Sequence, residues 1–137
     1  MLERQAIFIA EDEPFIALDL VFAVEDAGGL VVGPVASVEE ALELLLSSPV
    51  DGAILDVNLI DRDITPVVAL LTERGVPIIL QSGVGPPREL SEGFPHLTVH
   101  IKPCAPGRLI EEMARMLAAG NGPGHRIHER PAPGNST

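Results

Sequence analysis

The chain contains no tryptophan and no tyrosine, and only four phenylalanines in 137 residues. Its core must therefore be aliphatic. Hydrophobic residues make up 46% of it, too many for a chain that stays unfolded. Its single cysteine, Cys104, has no partner for an internal disulfide, which fits a reducing, cytoplasmic setting. Basic residues are scarce: nine Lys and Arg against 20 Asp and Glu, for a net charge of −11. Binding to nucleic acid needs a basic face that displaces counterions, and no such face is visible. No apolar run approaches membrane-spanning length, and the opening MLERQAIFIAEDEP meets acids too early for a signal peptide. The expectation is a soluble cytoplasmic protein that binds neither nucleic acid nor membrane. Zinc is not expected either. His96 and His100 do not stand at ligand spacing with a cysteine, and His125 and His128 fall in a C-terminal tail.

At this length the chain fits one domain with a core that needs no disulfide or structural metal. Short apolar β-type runs alternate with amphipathic helical stretches. Ala6 to Ala10 reads as a strand buried on both faces, followed by a helix that opens at Pro14 and is stopped by Gly28-Gly29. Leu30 to Val35 reads as a second strand near a sheet edge, because Pro34 has no N–H to donate. Ser37-Val38-Glu39-Glu40 is a capping box, and Val38, Ala41, Leu42 and Leu45 form the apolar stripe behind it. Gly52 to Asp56 is the third strand. Thr65 is expected to cap the next helix, with Pro66 at its first position and Gly75 closing it. Pro77 to Gln81 is the fourth strand. The Gly- and Pro-rich stretch 83–95 supports only a short helix near Arg88 to Glu92. Thr98 to Ile101 is the fifth strand, and Pro106 to Ala119 the last helix. Alternation of this kind implies an α/β, doubly wound five-stranded parallel sheet over residues 1–120. Residues 121–137, dominated by Gly, Pro and polar residues, read as a disordered tail.

Four strands end in polar residues that an apolar core does not require. They are Glu11-Asp12-Glu13, Asp56, Gln81-Ser82-Gly83 and Lys102-Pro103. In a parallel sheet these ends share one rim, where such folds place their sites. Taken singly, each has a plainer explanation: acids favour helix N-termini, Asp caps turns, Ser-Gly makes turns, and a lysine before proline is usually surface. Taken together they bring carboxylates, a hydroxyl and an ammonium to one place. Clustered carboxylates repel unless a cation joins them, and oxygen-only ligands suit Mg2+, with Mn2+ as an alternative. A carboxylate beside such an ion and a lysine is a nucleophile suited to phosphorus. Cys104, next to this rim, has no adjacent base in the sequence and reads as packing.

These motifs resemble the response-regulator receiver domains, over about residues 5 to 119. The resemblance rests on Glu11-Asp12-Glu13-Pro14, on Ile54-Leu55-Asp56-Val57-Asn58-Leu59, on Gln81-Ser82-Gly83 and on Ile101-Lys102-Pro103. It implies a flavodoxin-like (βα)5 fold with strand order 2-1-3-4-5. It also implies that Asp56 is the phosphoacceptor and that Asp12 holds Mg2+ with Glu11 in support. Asn58 would add its backbone carbonyl, Ser82 would be the switch hydroxyl, Lys102 would pair with the phosphoryl group, and Lys102-Pro103 would be cis. The implied partners are a sensor histidine kinase or a histidine phosphotransfer protein, with the chain a monomer or weak dimer. Without an output domain it would act as a phosphorelay intermediate, by direct target binding, or as a phosphate sink. Two positions depart from the family pattern. Val99 stands where receivers usually carry Tyr or Phe, and Cys104 where Phe is frequent. The D-x-N-L segment and the altered switch region are similar to a single-domain subgroup in alphaproteobacteria, whose kinases are often of the HWE or related type. Two other readings remain. One is a degenerate receiver that acts without phosphorylation. The other is an aspartyl-phosphate phosphatase, whose D-x-D-x-T/V pattern needs a second acid where this chain has Asn58.

Overall fold

The structure is a computed structural model, and it describes residues 1–85 and 87–120. The expected tail 121–137 lies outside the described residues. Five parallel strands form one sheet in the order β2-β1-β3-β4-β5, as the resemblance implied. They are β1 (Ala6–Ala10), β2 (Leu30–Val35), β3 (Gly52–Asp56), β4 (Ile78–Ser82) and β5 (Thr98–Ile101). Between them run α1 (Pro14–Asp26), α2 (Val38–Ser47), α3 (Thr65–Glu73) and α4 (Arg88–Gly93), and α5 (Pro106–Gly120) follows β5.

Successive strand residues point to opposite faces, and both faces are covered. Phe8, Ala10, Ala53, Leu55 and Leu80 pack with Val38, Ala41 and Leu45 of α2 and Val67, Val68 and Leu71 of α3. Ile7, Ile9, Ile54 and Ile79 pack with Leu20 and Val24 of α1 and Leu109, Ile110, Met113 and Leu117 of α5. The core is aliphatic apart from Phe8, as the shortage of aromatics required.

The element ends show how closely local chemistry determines geometry. Ser37 caps α2 as expected, its Oγ accepting from the Glu40 amide at 3.0 Å. Glu40 reaches back one residue further than a capping box predicts, its Oε1 accepting from the Ala36 amide at 3.1 Å. The expected Thr65 cap is not observed. Thr65 is the first residue of α3, and Asp63 Oδ1 accepts from its amide at 2.9 Å. A Thr65 cap would accept from the Val67 or Val68 amide, and both of these donate to the Ile64 carbonyl instead. Pro34 lies on the edge strand, as its missing N–H demanded. The bond before it and the Lys102-Pro103 bond are both cis.

β2 carries a bulge at this point. Phe8 pairs with Val32 and Ala10 with Val35, so Gly33 and Pro34 together face Ile9. Gly33 has φ +103°, and a Cβ there would sit 2.7 Å from the Ile9 carbonyl oxygen. Backbone cannot yield as a flexible side chain can. We predict that Gly33→Ala lowers stability by about 1–3 kcal/mol, the usual cost of a forbidden backbone conformation. Urea unfolding at neutral pH measures it, and a loss under about 0.5 kcal/mol, the range of an ordinary surface change, would contradict the assignment.

Candidate functional site

Side-chain periodicity carries the polar strand ends onto one face. Asp56 follows Ile54 by two, Gln81 follows Ile79 by two and Glu11 follows Ile9 by two, so all three share the α1/α5 side. β3 and β4 are in register with Asp56 opposite Gln81, and β4 and β5 with Gln81 opposite His100. The rim therefore presents Glu11, Asp56, Gln81 and His100 side by side.

Three carboxylates converge there. One oxygen from each of Glu11, Asp12 and Asp56 lies within 4.8 Å of the others. Glu11 and Asp56 are buried, at 2% and 7% exposure, and Asp12 is half-buried. Lys102, from the loop after β5, reaches back over the rim. Its Nζ donates to Asp56 Oδ2 at 3.0 Å and lies 3.2 Å from Glu11 Oε1. That last contact is not aligned for a hydrogen bond, so buried Oε1 accepts none. The other Glu11 oxygen, Oε2, accepts from the Glu13 amide at 3.1 Å and from Lys102 Nζ at 3.4 Å.

Burial pushes the Glu11 carboxyl up to about 7, with the Asp56 charge adding to the rise. The Glu13 amide and Lys102 oppose it without cancelling it. Burial works against the Lys102 ammonium as well, but its hydrogen bond to Asp56 and the charge of Glu11 prevail, holding its pKa above the ordinary lysine value. One ammonium thus serves two of the three acids, Glu11 and Asp56. An unaligned buried oxygen and an under-compensated carboxylate group are what a hard cation with oxygen ligands would relieve, so the residues fit the Mg2+ that receivers bind.

The remaining expected residues are nearby but differently engaged. Ser82 is buried on the same rim, yet its hydroxyl closes the turn that follows β4. Oγ donates to the Gly85 carbonyl at 2.7 Å and accepts from the amides of Gly85 at 3.0 Å and Val84 at 3.3 Å. Asn58 is exposed, its amide 3.3 Å from Asp56 Oδ1, and it pairs with Asp63 in a small antiparallel bridge. Val99 packs into the α2/α3 face, opposite His100. Cys104 is not without a base, as the sequence suggested: its Sγ lies 3.8 Å from His100 Nδ1. Four residues apart across a strand end and a cis proline, the two meet only once the chain has turned.

Of two further residues, the sequence places Gln81 at a polar strand end without giving it a role, and it does not single out Asp61. Gln81 is buried at 2% exposure beside Asp56, with its amide Nε2 unpartnered among the described residues. Its place at the polar end of an apolar strand was the available signal. Asp61 binds amides more than 20 residues away, and no local pattern marks it.

No protein-family model matches the chain, and no curated protein matches its sequence. Solved structures do. A response regulator receiver protein from Sinorhizobium medicae is 30% identical over 87% of this chain and 98% of its own, with a TM-score of 0.75. SdrG from Sphingomonas melonis is 32% identical over 86% of this chain and 99% of its own, with a TM-score of 0.69. The response regulator PhyR from Brucella abortus is 30% identical over 86% of this chain but only 54% of its own length, with a TM-score of 0.64.

The raised Glu11 pKa gives a pH signature. Below about pH 4.5, Glu11 is protonated in both folded and unfolded chains and contributes nothing. Between about 4.5 and about 7 the unfolded chain releases this proton while the folded one keeps it, so stability falls as pH rises. We predict that Glu11→Gln stabilises the metal-free protein by about 1–2 kcal/mol at pH 7.5, and that the gain fades towards pH 4.5. Chemical denaturation across that range measures it. A gain that grows as pH falls would show the sign to be wrong.

Proposed function

The chain belongs to the response-regulator receiver family, and on that premise we propose that it is a phosphoacceptor signalling protein, phosphorylated on Asp56 by a partner histidine kinase in a Mg2+-dependent reaction. One observation carries the reading: Lys102 Nζ stands 3.0 Å from Asp56 Oδ2, within a group whose third and fourth members are Glu11 and Asp12. Nucleophile, countercharge and metal ligands thus occupy one rim.

In the proposed reaction an Asp56 carboxylate oxygen attacks the phosphorus of a phosphohistidine. The new P–O bond forms as the P–N bond breaks, and the imidazole leaves with the electron pair and takes up a proton. The Asp56 carboxylate, Asp12, Glu11 and the Asn58 backbone carbonyl would hold the cation, which lends charge neutralisation to the phosphoryl oxygens. Lys102 is preplaced on Asp56 and would follow the charge outward onto the phosphoryl group. Ser82 would hydrogen-bond another oxygen, for which its hydroxyl must leave the Gly85 carbonyl. Signalling would then proceed by an order–disorder change in loop 83–95, without the aromatic rotamer that Val99 cannot provide.

Protein partners are expected on either side of this event: a histidine kinase, of the HWE or related type, or a histidine phosphotransfer protein. An exposed apolar stripe of Phe15, Leu18 and Phe22 on α1, next to the site, is surface of the kind that partners cover. No helix among the described residues is long and apolar enough to cross a membrane. The proposed setting is cytoplasmic, with catalysis limited to self-phosphorylation and slow autodephosphorylation.

Incubation with Mg2+ and acetyl phosphate should add one phosphoryl group, detected by intact-protein mass spectrometry. Asp56→Asn should abolish it, and Lys102→Ala should slow it by about 10^2-fold or more, as loss of a preorganised charge contact does. Modification that survives Asp56→Asn would remove this reading. Beryllofluoride should in turn alter hydrogen exchange across 83–95, and unchanged protection there would refute the proposed route out of the site.

A further inference from the structure

Residues 57–64, directly after Asp56, fold back as a small hairpin. The Leu59 amide donates to the Arg62 carbonyl at 3.1 Å, the Ile64 amide donates to the Val57 carbonyl at 2.8 Å, and Asn58 bridges Asp63. Its base is secured by burial, with Val57, Leu59 and Ile64 all in the core. Its tip has no such support, since Ile60 to Asp63 are exposed. What holds the tip is the start of α2. The Ile60 amide donates to the Ala36 carbonyl at 3.2 Å, and the Asp61 carboxylate accepts from two successive helix amides, Val38 at 2.8 Å and Glu39 at 3.1 Å. These bonds hold the Asp61 carboxyl below the ordinary aspartate pKa.

α2 has caps besides this carboxylate. Ser37 and Glu40 satisfy the Glu40 and Ala36 amides, and Glu39 is exposed so that water can serve its amide, while the amide of fully buried Val38 relies on Asp61. The hairpin tip has one other side-chain tie among the described residues, Asp63 to the Thr65 amide at the start of α3, so Asp61 is the side chain that ties the tip to α2. We therefore propose that Asp61 is a positioning residue for phosphoryl transfer. By clamping the hairpin tip to α2, it fixes the backbone of Asn58, three residues earlier, whose carbonyl is the neutral ligand for the cation. This rests on the reading of the site as a Mg2+-dependent phosphoacceptor. Asp61 touches neither cation nor phosphoryl group. It acts as an outer partner that orients a ligand.

The test is Mg2+ affinity of the unphosphorylated full chain, by calorimetric titration, in wild type, Asp61→Ala, Asp61→Asn and Ser37→Ala. Asp61→Ala should weaken Mg2+ binding about 10-fold, the lower end of what loss of an outer partner does. Asp61→Asn keeps one acceptor oxygen and should recover part of the loss. Ser37→Ala weakens the helix end without touching the hairpin, and should leave Mg2+ affinity unchanged. Hydrogen exchange at 57–64 should rise in Asp61→Ala and not in Ser37→Ala. Equal Mg2+ affinity in wild type and Asp61→Ala overturns the proposal, as does an equal loss in Asp61→Ala and Ser37→Ala, which would mean that helix stability alone matters. Should Asp61→Ala fail to fold, Asp61→Asn against Ser37→Ala decides by the same criterion. Absence of Mg2+ binding in the wild type overturns the phosphoacceptor reading itself, a different result from tight binding that ignores Asp61.

Discussion

Everything at the rim follows from a charge imbalance: two buried carboxylates and a third half-buried one meet a single ammonium. Glu11 and Asp56 are too close to share an interior without compensation, and Lys102 spans them from a separate strand end. The pair potentials involved are large in a low-dielectric pocket and small in water, so burial decides their weight. Burial is supplied by the sheet. β1 and β3 are adjacent and in register, Ala10 beside Leu55, so the next residue of each arrives at the same depth. A cation would relieve this arrangement by joining the acids, and on the proposed reading an incoming phosphoryl group would do so by accepting from the lysine.

The parts of this design legible in the sequence are those determined by periodicity and by strand ends. An uninterrupted Ala6–Ala10 run means a strand buried on both faces, and Leu109, Ile110, Met113 and Leu117 recur at helical spacing, so each was placed without reference to anything distant. Four polar strand ends pointed to one rim because parallel topology leaves no other arrangement. Less legible were bonds whose partners are remote. Asp61 reads as one acid in a loop until β2, α2 and β3 are assembled around it. α3 begins one residue earlier than a Thr65 cap implies, with Ile64 at the cap and Asp63 accepting from the Thr65 amide. The Cys104–His100 contact needs the turn after β5. The rotation of the Ser82 hydroxyl is decided by three backbone groups of its own loop, and a Ser-Gly pair does not announce it.

The departure at Val99 bears on how a signal leaves the site. Val99 faces α2 and α3, while Asp56, Gln81 and His100 face α1 and α5, and Ser82, two residues after Leu80, shares the Val99 side. Gln81 and His100 each bury a nitrogen with no partner among the described residues, and they are neighbours in register. Unpartnered groups of this kind cost free energy and make the strand end sensitive to any new donor or acceptor.

Ser82 is the one group that belongs to both the rim and the loop beyond it. Its bond to the Gly85 carbonyl is neutral and worth about 1 kcal/mol net. A bond from the same hydroxyl to a doubly charged phosphoryl oxygen is roughly twice as strong. The difference is about 1 kcal/mol, which changes a two-state population by about fivefold. That is enough to bias the turn at Gly85 and too little to lock it, because near-complete switching needs about 5.5 kcal/mol. On the proposed reading, the rest of the bias would come from whatever binds the segment beyond Ser82. Phosphorylation and partner binding would then act as two ligands on one equilibrium, each strengthening the other by the same factor.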